Sequence, residues 1–134
     1  MENPTNAGTD QVLETNEPRF CVVPRTDRGI SILRLSGDLD LTTVPLLMEA
    51  VNAAVHAEGR QRIVFDCTGL AFCDSSGLNF FLQLHKDADR TDGFVLAHVG
   101  TSFQGLLDLT GADQALTVTP DVDAALARLG PETI

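Results

Sequence analysis

Phe72-Cys73-Asp74-Ser75-Ser76-Gly77-Leu78 follows an apolar run, Ile63-Val64-Phe65, and opens an apolar-periodic segment that extends to about Asp89. Two hydroxyls therefore stand where a loop turns into a helix. Asp and Ser are the residue types that satisfy the free N–H groups of a helix's first turn. The same place favours negative charge, because those N–H groups and the helix macrodipole face outward there. Arg62 to Asp66 is read as a strand whose continuous apolar run, Ile63-Val64-Phe65, predicts burial on both faces, as in a parallel or mixed sheet covered by helices. Beyond the turn, Leu78, Phe81, Leu82 and His85 mark one helical face, and Phe80 and Leu84 a second.

Upstream, Ile30-Ser31-Ile32-Leu33-Arg34-Leu35 alternates closely enough to be a strand. Phe20-Cys21-Val22-Val23 is a shorter strand that Pro24 is expected to end, with residues 25–29 turning between the two as a hairpin. Gly37-Asp38-Leu39-Asp40 breaks the second strand. Thr42 or Thr43 then caps a helix with Pro45 in its first turn. Val44, Leu47, Met48, Val51 and Val55 share one helical face, and Gly59 fits the stop. Downstream, residues 94–99 predict a strand. Gly100-Thr101-Ser102 opens a short helix with Phe103, Leu106 and Leu107 inward and Gly111 as its stop. Leu116-Thr117-Val118 is a last strand. Thr119-Pro120-Asp121-Val122-Asp123 combines an N-cap, a first-turn proline and early acids. Val122, Leu126 and Leu129 form the last helix's buried face, and Gly130-Pro131 ends it.

That order predicts a single α/β domain over residues 19–130. Its sheet is mixed but mostly parallel, of four to five strands packed against about four helices. Residues 1–18 are nearly devoid of apolar side chains and are expected to be a disordered tail, and residues 131–134 a short C-terminal tail.

The net charge of −10 repels nucleic acid. No apolar run approaches the roughly 20 residues of a membrane span, and the polar, acidic N-terminus is not a secretory signal. A cytoplasmic protein is the expectation. Cys21, Cys67 and Cys73 are then reduced thiols. With His56, His85 and His98 scattered, no metal site or cofactor is expected.

A hydrolytic serine at position 75 would need Gly at position 73, where Cys73 stands, and a nearby histidine. His85 lies about 15 Å farther along the same helix at 1.5 Å per residue. No catalytic residue is assigned, and the chain is not expected to be an enzyme. Two readings remain for the turn. Asp74 or Ser75 caps the helix, or a serine accepts a phosphoryl group from another protein, whose charge of about −2 would switch a protein contact. The residues by themselves leave Ser75 and Ser76 equivalent. Gly37-Asp38-Leu39-Asp40 is a strand-to-helix turn, and becomes part of the same partner-facing patch if the sheet sets it beside Ser75.

The Gly37-Asp38-Leu39-Asp40 loop, then Ile63-Val64-Phe65-Asp66 and Leu70-Ala71-Phe72-Cys73-Asp74-Ser75-Ser76-Gly77-Leu78, and finally the stretch from Phe103 to the Gly111 stop resemble the STAS-type anti-sigma factor antagonists. The resemblance spans residues 20–129. It implies a bacterial partner-switching protein. The unphosphorylated form binds an anti-sigma factor that is also a serine kinase, and so frees the sigma factor. Phosphorylation ends the contact, and a metal-dependent serine phosphatase restores it. The resemblance assigns the phosphoacceptor to Ser75 and partner contacts to Asp38, Asp40, Asp74, Ser76 and Gly77. ATP and magnesium would belong to the kinase. The same fold also serves as a scaffold or small-ligand sensor, in which the serine would only cap. Three positions depart from the family pattern: Cys73 replaces a larger apolar residue, Asp38 a Glu, and Asn79 a small or apolar residue.

Overall fold

The computed structural model describes residues 19–58, 61–87 and 89–130. The two expected tails, 1–18 and 131–134, and the helix stops at Gly59 and Pro131 lie outside the described residues.

Strands β1 (Phe20–Asp27) and β2 (Ile30–Leu39) form the expected hairpin. Its two-residue turn, Arg28-Gly29, has positive φ at both positions (55° and 77°), the twist that suits right-twisted strands. Pro24 does not end β1, which runs on to Asp27. β1 is an edge strand, where a residue without an N–H is tolerated.

Helix α1 (Val44–Glu58), strand β3 (Ile63–Cys73), helix α2 (Ser75–Lys86), strand β4 (Phe94–Ala97), helix α3 (Thr101–Thr110), strand β5 (Val118–Thr119) and helix α4 (Val122–Leu129) follow. The sheet order is β1-β2-β3-β4-β5, antiparallel at β1/β2 and parallel elsewhere. One sheet face carries α1, α2 and α3 through Leu47, Val51, Leu78, Phe81, Phe103 and Leu107. Phe65 and Phe81 meet edge-on at 5.1 Å in its centre. The opposite face carries α4, whose Ala125 and Leu126 pack on Ile30, Ile32, Val64, Val95 and Ala97. Met48, expected on the buried face of α1, is exposed.

Several boundaries differ from the local reading. β5 is Val118–Thr119, while Leu116 turns into the core instead of joining a strand. Asp121 caps α4 by accepting from the Ala124 N–H at 2.8 Å, and Pro120 stays outside the helix. The difference with most consequence is length. β2 continues through Gly37-Asp38-Leu39, and β3 continues to Cys73. Irregularities at Arg34/Ser36 and Gly37/Asp38 let the ladder absorb residues that look like a break. Gly37 sits at φ 96°, where a Cβ would lie 2.0 Å from the Arg19 carbonyl oxygen. β4 pairs with β3 only from Ile63↔Phe94 to Asp66↔Ala97. Past Asp66 the sheet therefore continues without β4 as an arm of β1, β2 and β3, with β1 paired to β2 as far as Gly37.

Candidate functional site

The tip of that arm joins the two loops singled out in the sequence. Leu39 pairs with Cys73, and the Asp74 N–H donates to the Leu39 carbonyl at 3.2 Å. The strand-end acids of β2 and the serine turn of β3 are therefore side by side.

Asp74 is the N-cap of α2. Its Oδ1 accepts from the Ser76 N–H at 2.9 Å and the Gly77 N–H at 3.3 Å. Such a cap is worth about 1 kcal/mol. The cap thus falls to Asp74 and not to Ser75. Ser75 is the first helical residue and is exposed, whereas Ser76 is half-buried. Gly77 faces inward. A Cβ there would sit 2.6 Å from Cys73 Sγ and 2.9 Å from Leu39, so its missing side chain is what allows α2 to start directly over the arm. The small Cys73 belongs to the same close approach.

Asp40 performs the equivalent task for α1, in place of Thr42 or Thr43. Its Oδ1 accepts from the Thr42 N–H at 3.0 Å and the Thr43 N–H at 3.2 Å. Thr43 Oγ1 in turn accepts from the Asp40 N–H at 2.9 Å, a reciprocal capping box. Arg19 clamps the loop from β1. Its guanidinium pairs with Asp40 and donates to Thr42 Oγ1 at 2.9 Å, while its carbonyl accepts from the Asp38 N–H at 2.8 Å. The Thr42 hydroxyl, then Arg19 and the Thr42 N–H, hold the Asp40 carboxyl down at about 2, against the opposing effect of burial. Asp40 is thus an internal strut, and Asp38 and Asp74 are half-buried beside it.

A depressed folded-state value means that Asp40 stabilises the fold above the ordinary 3.8 and that this contribution is lost as pH falls through about 2. The Asp40 carboxyl carbon is expected to titrate near 2 by NMR, and to move toward 3.8 in Thr42→Val. An unchanged midpoint in that variant would contradict the assigned cause.

Two apolar side chains frame the turn, and local reading passed over both. Leu41 is 75% exposed on the β2–α1 loop, and Phe72 is 47% exposed at the end of β3. Phe72 is the one exposed phenylalanine among the described residues. Arg19 was also missed; its only signal was a cation directly before the first strand. Cys73 is a free thiol whose value is pushed up to about 12 by burial and by the Asp74 charge, and burial pushes Cys67 up as well. Neither is a ready nucleophile. α2 puts Ser75 at its first position and His85 in its last turn, so it provides no serine–histidine pairing. Among the described residues no group of three or more His, Cys, Asp or Glu could hold a metal, and no helix is long and apolar enough to cross a membrane.

The STAS domain family model matches residues 22–125. An anti-sigma F factor antagonist of Paenibacillus polymyxa is 30% identical over 103 residues, covering 76% of this chain and 88% of that protein. An anti-sigma factor antagonist from Mycobacterium paratuberculosis superposes with a TM-score of 0.74 at 25% identity, over 82% of this chain and 93% of that one. The unphosphorylated form of the anti-sigma factor antagonist SpoIIAA shares the fold, with a TM-score of 0.65 at 17% identity, over 84% and 100% of the two chains. The chain belongs to the STAS family, among its anti-sigma factor antagonists.

Proposed function

We propose that this chain is a phosphorylation-controlled antagonist that acts by binding an anti-sigma factor. The unphosphorylated chain occupies an anti-sigma factor that is also a serine kinase, and the sigma factor is released. Phosphorylation of Ser75 ends the contact, and a metal-dependent serine phosphatase reverses it. The observation that carries this reading is the division of labour at the turn. Asp74 takes the capping role alone, which leaves the Ser75 hydroxyl exposed and without a hydrogen bond to any described residue. A phosphoryl group there adds a charge of about −2 beside Asp74 and Asp38. The nearest helix N–H groups, those of Ser76 and Gly77, already bond Asp74, so the added group projects toward a partner and leaves the core intact.

In this reading Asp38, Asp74 and Ser76 line the contact with Ser75. Asp40 and Gly77 belong to it by holding the loop and the helix start in place. A small ligand finds little room beside the serine turn, where the cleft next to Phe72 and Cys73 measures about 130 Å³, and the clefts of about 380–440 Å³ lie on other parts of the surface. Ligand sites run to roughly 300–1,000 Å³.

The native organism's anti-sigma factor kinases, purified and supplied with ATP and magnesium, test the acceptor. Phosphate is expected on wild type and Ser76→Ala but not on Ser75→Ala. Equal labelling of Ser75→Ala would refute the site.

A further inference from the structure

A groove of about 380 Å³ lies between the edge strand β1 and helix α1. β1 supplies Val22, Pro24 and Arg25 to it, β2 supplies Leu33, and α1 supplies Ala50 and Ala53. Alanine at 50 and 53 gives α1 too little bulk to fill the space beside β1. Ala50 stays half-buried and Ala53 exposed, while Val51 between them is buried. A groove with an apolar lining favours a cover that brings apolar side chains of its own.

Residues 1–18 join β1 through Arg19 and lie outside the described residues. They carry Glu2, Asp10, Glu14 and Glu17 and no Lys or Arg, a net charge of −4. Residues 19–36, which hold β1 and most of β2, carry Arg19, Arg25, Arg28 and Arg34 against Asp27, a net +3 in a chain of net −10. An acidic segment is thus tethered directly to a basic hairpin. Val12-Leu13 is the one pair of adjacent large apolar residues in the segment. Leu13 stands six residues before Arg19, and Val22 three after it. A reversal over Asn16-Glu17-Pro18, residue types that suit a turn, brings residues 12 and 13 alongside residues 22 and 21. The same register sets Asp10 alongside Pro24, next to Arg25. Residues 1–18 lack the apolar content to fold alone, and the groove supplies the missing surface. A short tether gives an effective concentration in the millimolar range, so a contact too weak to hold two separate molecules suffices.

We infer that the groove between β1 and α1 is the docking site of the chain's own residues 10–14. Val12-Leu13 enters it against Val22, Leu33 and Ala53, and Asp10 lies by Arg25. The docked segment covers the groove and offsets the positive charge of the hairpin. Its charge contribution weakens as salt is added, and its apolar anchor does not.

The test is NMR on the full chain. Backbone amides at residues 10–14 are expected to exchange about tenfold more slowly than in an unstructured chain. The Leu13 methyls are expected to show cross-peaks to the methyls of Val22, Leu33 and Ala53. Leu13→Ser is expected to abolish the protection, and Arg25→Glu to reduce it severalfold. Arg25 is exposed and residue 13 precedes the domain, so both variants keep the fold. Amides 10–14 that exchange at the unstructured rate in wild type overturn the inference and leave the proposed function standing. Protection that survives either substitution unchanged also overturns it. Cross-peaks that arise only between differently labelled copies assign the groove to a second copy, and the inference falls.

Discussion

Gly37→Ala is expected to cost a large part of the domain's stability. Two independent penalties meet at this position. The backbone sits at φ 96°, and a non-glycine residue held in such a region is strained by about 1–3 kcal/mol. The new Cβ would also lie 2.0 Å from the Arg19 carbonyl oxygen, 2.8 Å from its carbonyl carbon and 3.0 Å from the Phe20 Cα. These are backbone atoms, so no rotamer change relieves the clash, and overpacking adds about 1–3 kcal/mol more. The sum, about 2–6 kcal/mol, is a large part of the roughly 5–15 kcal/mol that holds a domain together. The Arg19 carbonyl is also the acceptor for the Asp38 N–H, so any shift that makes room disturbs the loop beside Ser75. Urea unfolding is the measurement. Gly105→Ala is the control, because its helical site has nothing within 4 Å, and it is expected to gain about 0.5–1 kcal/mol. A Gly37→Ala midpoint matching wild type would show that β1 does not approach Gly37 as closely as described.

Ser75→Asp is expected to fold like wild type and to lose the anti-sigma factor. An acid at the first helical position faces the positive end of the dipole, which offsets part of its repulsion by Asp74. Thermal unfolding should therefore change little. Under the proposed function binding should not survive, because the partner surface that meets this hydroxyl would face an unmatched charge there. Like-charge contact in an interface costs several kcal/mol, about a 100-fold loss of affinity or more. Calorimetric titration of wild type, Ser75→Ala and Ser75→Asp against the purified anti-sigma factor separates the cases. Ser75→Ala should bind and Ser75→Asp should not. Equal binding by both would show that charge at this position does not operate the switch.

The alternation of elements was legible from local pattern. Strand, strand, helix, strand, helix, strand, helix, strand, helix appears in the order expected, and the Asp74-Ser75-Ser76-Gly77 turn opens a helix as its residue types require. Local reading failed where a partner strand overrides local propensity. Gly37-Asp38-Leu39-Asp40 looks like a break, yet residues 37–39 stay in the ladder because β3 offers pairing as far as Cys73. Pro24 looks like a stop, yet an edge strand accepts it. Thr42 and Thr43 look like caps for α1. Asp40 takes that role because its backbone leaves the sheet where its carboxylate can reach both N–H groups.

The sequence by itself determined the α/β order and the place of the serine turn. Both rest on capping, periodicity and turn chemistry, which involve residues a few positions apart. Ser75 and Ser76 were equivalent at that level. The family resemblance chose Ser75, and the fold adds that Ser75 is exposed at the first helical position while Ser76 is half-buried. The Arg19–Asp40 clamp joins residues 21 apart in the chain, and the β2–β3 pairing joins Leu39 to Cys73. The exposure of Phe72 depends on where β4 stops. Each of these is set by contacts between distant segments, so it is decided only when the sheet closes.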